Sequence, residues 1–160
     1  MAKGKPLSSM FEDLTTTQKM TSFGNEMVNR IITRTQKGFN VFNKKFKKYS
    51  KKYYDRKKAG DIPRQSSQYK PSSRSDVNLT LTGDMLNSFQ IQAVNDKGVT
   101  IGFRGDEAQK ASGNEDNKRI IASVKKPVSK DDEKFIARFF DKQLVKAMKE
   151  SSGKTEIVIG

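Results

Sequence analysis

The chain contains neither cysteine nor histidine, and this double absence decides which chemistry is open to it. Without cysteine there is no thiol nucleophile, disulfide framework or thiolate metal site, although cysteine usage alone does not fix a compartment. Without histidine the usual neutral-pH general base and the commonest zinc ligand are missing. What remains are short polar clusters. Ser152-Gly153-Lys154-Thr155 has the ending of a phosphate-binding loop. The full pattern demands a glycine where Met148 stands, and a strand–loop–helix order where a helix followed by a strand is expected. A helix cap followed by a turn explains it better. Asn114-Glu115-Asp116-Asn117 offers oxygen ligands for a hard cation, but the spacing is not that of an EF-hand, so a solvated loop is the simpler reading. The acids of Asp131-Asp132-Glu133 suit the positive end of a helix dipole and require no acid–base role. No catalytic residue, metal site or cofactor is expected.

Charge is the strongest signal. The chain of 160 residues carries 32 Lys+Arg against 18 Asp+Glu, a net charge of +14. Residues 37–76 hold thirteen Lys/Arg and three Asp. The densest part comprises Lys44, Lys45, Lys47, Lys48, Lys51, Lys52, Arg56, Lys57 and Lys58, interrupted by the single acid Asp55. So many cations with so few acids repel one another unless an anionic neighbour is present, which makes these nine the candidate contacts for an anionic partner. Aromatic residues interleave them. Stacking on nucleic-acid bases is one use for such rings, but the spacing of Phe39, Phe46 and Tyr53 favours core anchors. No arginine cluster suggests base-specific readout.

Several elements must position this stretch. Thr15, with Gln18 three residues later, forms a capping-box signature. Met20, Phe23, Met27 and Ile31 then predict an amphipathic helix ended by Gly38 and weakened by Gly24. Phe39, Phe42, Phe46, Tyr49 and Tyr53 fall on one helical face. Either all of 39–58 is helical, or a loop runs to Tyr49 and Ser50 caps a shorter helix. Gly38, Asn40 and Asn43 favour the second. Residues 60–76, with Pro63, Pro71 and five serines, predict an extended loop. Val77, Leu79 and Leu81 alternate with polar residues as in a half-buried strand, leading into Gly83 and a short helical turn. Runs at 88–94 and 99–103 around Asn95-Asp96-Lys97-Gly98 predict a hairpin. Residues 105–118 predict a loop with at most one turn near Glu107–Ala111, Arg119–Val124 a short strand, and Glu156–Ile159 a last strand. Ser129 caps a long helix bearing Phe135, Ile136, Phe139, Phe140, Leu144 and Met148.

Together these predict an α+β fold: an antiparallel sheet of about four strands packed by two long helices. Val77, Leu79, Leu81, Ile91, Val99 and Ile101 are expected on one sheet face under Met27, Ile31, Phe135, Phe139 and Leu144. Residues 1–14 are expected to form a flexible or partner-docked arm, and 15–160 a single domain with its extended loop at about 60–76. With 33% apolar residues and a mean hydropathy of −0.80, one modest core is affordable. No window reaches the roughly 18 apolar residues of a membrane helix, so no membrane contact is expected. Lys3 and Lys5 have no apolar stretch behind them, so no signal peptide is expected. The sequon at Asn78 then has no secretory context.

The order of motifs resembles a known family. An early amphipathic helix leads to Phe46-Lys47-Lys48-Tyr49-Ser50-Lys51-Lys52-Tyr53, and a polar loop follows. Val77 through Leu86 then contains the Leu81-Thr82-Gly83-Asp84-Met85-Leu86 element, and the hairpin ends at Gly98-Val99-Thr100-Ile101-Gly102-Phe103. Across roughly 20–145 this resembles the tail-completion, or virion-morphogenesis, proteins of tailed bacteriophages. The resemblance implies a non-enzymatic neck protein made in the host cytoplasm and built into the virion. It implies a homo-oligomeric ring at the head–tail interface, contacting head, portal or tail proteins around the DNA channel. The basic stretch leaves two partners open, non-specific DNA contact or an acidic protein surface. A free nucleic-acid-binding protein using 44–58 is the rival expectation.

Overall fold

The computed structural model describes residues 15–80, 83–123 and 126–152, the side chains of 151 and 152 excepted. Among them the architecture is α+β, with five α-helices and one two-stranded antiparallel sheet. The expectation of about four strands does not hold for these residues.

Helix α1, Thr17–Gln36, begins at Thr16, whose hydroxyl accepts from the Lys19 amide at 3.3 Å. The cap thus falls one residue after Thr15; adjacent threonines offer the same capping chemistry. Its end is a Schellman motif at Gly38, φ +82°, with the Phe39 amide on the Arg34 carbonyl and the Gly38 amide on Thr35. The stripe Met20, Phe23, Met27 and Ile31 is buried. Against it packs the hairpin of β1, Phe89–Val94, and β2, Val99–Phe103, paired from Phe89↔Phe103 to Val94↔Val99 with a bulge between Ile91 and Ala93. Asn95 ties the turn, its side chain accepting from the Lys97 and Gly98 amides. Gly24 has a purpose that helix propensity hides. A Cβ there would lie 2.7 Å from both Ile91 Cδ1 and Val99 Cγ2, so the missing side chain lets helix and hairpin approach closely.

Two short helices pack beside the hairpin, α3, Asp84–Asn87, and α4, Glu107–Asp116, with Met85, Leu86 and Ala111 joining the same core. Residues 107–116 were expected as mostly loop. Weak amphipathicity hid this helix, which is held by the Glu107–Lys110 pair and by Asn114 and Asn117 bonding back to the carbonyls of Lys110 and Gly113. Helix α5, Lys130–Ser152, starts from Ser129, whose hydroxyl accepts from the Asp132 amide while Asp132 Oδ2 accepts from the Ser129 amide. Its Phe135, Phe139 and Phe140 rings surround Phe23 at 6.1, 5.1 and 5.5 Å. Val99, Ile101, Met27, Ile31, Phe135 and Phe139 therefore share one core as expected, while Leu144 is half-buried.

The expected strand at 77–82 is absent over its described residues 77–80. Leu79 has φ +51°, which breaks the extended alternation. Val77 is buried with Phe46 and Tyr49 in a second small cluster that Leu79 joins from its edge, so the period-two pattern is satisfied without a partner strand. Residues 119–123 also form no strand: the Ile120 carbonyl accepts from the Val41 amide and the Ile121 carbonyl from Arg34. The arm at 1–14, Leu81, Thr82, Val124 and the expected strand at Glu156–Ile159 lie outside the described residues.

Candidate anion-binding surface

The basic stretch is a tightly hydrogen-bonded loop followed by a short helix. Asn40 organises the loop: its side chain accepts from the Phe42 and Lys44 amides, and its own amide donates to the Lys44 carbonyl at 2.8 Å. Asn43 takes φ +57°, which an asparagine tolerates. Helix α2, Lys51–Ala59, is capped by Ser50, which accepts from the Tyr53 amide at 3.2 Å, and ends on Gly60 at φ +87°. The loop-then-helix alternative is thus the one adopted. Val41, Phe46 and Tyr49 point inward and are almost fully buried, which confirms Phe46 as an anchor. Phe42 and Tyr53 are 49% and 38% exposed.

Eight of the nine candidate cations stand on the surface: Lys44, Lys45, Lys47, Lys48, Lys51, Lys52, Arg56 and Lys58. Lys51 pairs with Asp55 at 2.7 Å in the open, where such pairs contribute little. Lys45 and Lys58 lie over the rings of Phe39 and Tyr54 at 4.6 and 5.7 Å. Arg56 and Lys58 also sit in the last turn of α2, where the dipole favours cations.

Lys57 is the exception. It is 1% exposed, and its Nζ donates to Tyr49 Oη at 3.1 Å and Asn78 Oδ1 at 2.9 Å. Burial pushes its pKa down to about 8; Asp76 opposes that shift and the Arg119 charge adds to it. Burial also raises the Tyr49 hydroxyl well above its ordinary value, with Tyr53 contributing. Lys57 therefore does not belong to the outward-facing set. Its position four residues after Tyr53 on the same helical face was the available signal. Charge density masked it.

Beneath this stretch lies a cavity of about 280 Å³ lined by Tyr49, Tyr53, Lys57, Leu79 and residues of α3 and α4. Arg119, which the sequence marked only as part of a strand, places its guanidinium 5.3 Å from the Tyr49 ring centroid. Elsewhere, buried Asp132 pairs with Arg34 and, at 3.4 Å, with Arg30, joining α5 to α1. Its acid is thus used twice, at the helix start and across the interface. Glu115 and Asp116 are exposed on α4, and among the described residues no group of three acids gathers as a metal site would require. No helix among the described residues is long and apolar enough to cross a membrane.

Comparison with protein-family models, with curated proteins and with solved structures returns no match.

Proposed function

We propose that this chain is a structural, non-enzymatic subunit of the head–tail junction of a tailed phage. In this reading copies assemble into a ring in the virion neck, and the 44–58 surface faces an anionic neighbour, either an acidic protein ring or DNA in the channel. The observation that carries it is the arrangement of the basic segment. Eight cations stand outward on a scaffold whose Val41, Phe46 and Tyr49 are locked inside, so the charge is presented on an ordered surface. At physiological salt the screening length is about 8 Å, so neighbouring cations still repel, and an anionic partner relieves that repulsion. Val145 and Met148 on α5, 50% and 53% exposed, supply apolar area for contact between subunits. The order of motifs from α1 to the hairpin supports the same reading.

One observation favours a rival. Phe42 is half exposed among the lysines, as a ring that stacks on unpaired bases would be. A quadruple variant with Lys44, Lys47, Lys48 and Lys52 changed to Gln separates the two. The neck reading expects stalled particle assembly with an intact fold. A free nucleic-acid binder expects instead a duplex affinity whose log–log salt slope falls by about 0.9 per lost phosphate contact. Normal assembly together with unchanged DNA binding refutes both.

A further inference from the structure

The cavity under α2 has the chemistry of a ligand site. Four cations line it, Lys57, Arg64, Lys110 and Arg119, against the two carboxylates Asp84 and Glu107. Glu107 is already engaged by Lys110. The other two central cations have no carboxylate of their own. Lys57 Nζ bonds only the neutral Tyr49 hydroxyl and Asn78 carbonyl oxygen, and nearby Asp76, whose carboxylate accepts from Ser72, acts on its charge without forming an ion pair with it. Arg119 forms no ion pair among the described residues, and its Nε is buried without a hydrogen-bond partner. Both cations approach the same Tyr49 ring, Nζ at 4.9 Å and Cζ at 5.3 Å from its centroid. Two like charges brought together in a half-apolar cavity call for an anion between or beside them.

The cavity walls are strained as well. Arg64 and Leu79, both lining residues, have φ of +64° and +51°. Leucine rarely adopts this region, and such outliers gather at ligand sites. We propose that this cavity binds a phosphate group, held by Lys57, Arg64 and Arg119, with Tyr53 flanking whatever the phosphate carries. Phosphate fits better than carboxylate because cations arrive from three separate elements. A tetrahedral oxyanion accepts from several directions, and the guanidinium fork suits it. The volume of about 280 Å³ also exceeds what a lone carboxylate fills.

The site is distinct from the outward lysines, and its test separates them. Calorimetric titration of the full chain at about 0.15 M salt uses inorganic phosphate, acetate, and one single-stranded oligonucleotide with and without a 5′-phosphate. Phosphate is expected to bind at least tenfold more tightly than acetate. Arg119→Gln is expected to weaken it tenfold or more, and the exposed Arg64→Gln, which does not threaten the fold, several-fold. Lys47→Gln with Lys48→Gln is expected to leave it unchanged. A tenfold preference for the phosphorylated oligonucleotide, lost in Arg119→Gln, identifies a strand end as the source. Binding of free phosphate alone identifies a small molecule. Equal binding of phosphate and acetate, or full phosphate affinity in Arg64→Gln and a folded Arg119→Gln, overturns the proposal.

Discussion

The half of the molecule built from α1, the hairpin and α5 and the half spanning 39–80 are held together by different means. In the first, side chains at helical and strand periods bury one another: Met27 and Ile31 are 2% and 3% exposed, and Phe23 is enclosed by three rings. Each such residue contributes about 1.5–3 kcal/mol by leaving water. In the second, the buried apolar cluster is only Phe46, Tyr49 and Val77. There the chain is fixed by side chains bonding backbone: Asn40 on two amides, Arg74 Nε on the Tyr49 carbonyl at 3.0 Å, and Gln65 on the Lys57 carbonyl at 2.6 Å. An element secured by apolar periodicity tolerates polar edits on its outer face. One secured by individual hydrogen bonds holds unusual backbone conformations and buried charge, and these are what a binding surface uses.

The sharpest break in this contrast is expected in the first half, at its one buried charge. Asp132→Ala leaves Arg34 and Arg30 without their acid, with only the Ile121 and Asp131 carbonyls as hydrogen-bond partners, and removes half of the Ser129 cap. Denaturant unfolding is expected to show a loss of about 3–5 kcal/mol. A loss below 1 kcal/mol means that apolar packing alone joins α5 to α1.

What the sequence revealed follows the same division. The α1 stripe, the hairpin turn at Asn95–Gly98 and the Ser129 start of α5 were legible because their signals are local and periodic. Ser50 as the cap of α2 was legible for the same reason. The 77–80 segment misled because alternation of Val77 and Leu79 reports burial, and burial here is in two clusters and not on a sheet. Helix α4 was hidden by its polar composition. In the basic stretch eight of the nine cations singled out by charge density are surface residues. The burial of Lys57 was not legible, because one of its partners, Asn78, lies 21 residues away in sequence, and Arg119, which approaches the same Tyr49 ring, is connected to it by no local pattern.

In the second half, the buried amine makes stability depend on pH. The folded pKa of Lys57, about 8, lies below the ordinary value near 10.4 of an unfolded chain. Between these values the unfolded state holds a proton that the folded state has released, so stability rises with pH. Over pH 8 to 10 the gain is expected to be about 2 kcal/mol. Above pH 10 the raised Tyr49 hydroxyl acts with the opposite sign, since the unfolded tyrosine ionises first, and stability falls. Lys57→Met is expected to abolish the rise and keep the fall. An unchanged rise in that variant places its origin in the general charge of the protein.

The smallest expected effects lie at two glycines outside both halves, one at the start of α3 and one within α4. Gly83 has φ +100°, and a Cβ there would meet Tyr69 Oη at 3.1 Å. Gly83→Ala is expected to cost about 1–2 kcal/mol. Gly113 is helical with nothing within 4 Å of a built Cβ, so Gly113→Ala is expected to stabilise by about 0.5–1 kcal/mol. Melting temperatures that move in the same direction contradict this assignment.

The measurement that bears most directly on the proposed role is whether the chain co-purifies with tailed-phage particles and where in them it lies, read by electron microscopy of labelled virions. A subunit of the neck is expected at the head–tail junction in a fixed number per particle. Its absence from intact particles, with the protein recovered instead on free nucleic acid, contradicts that role.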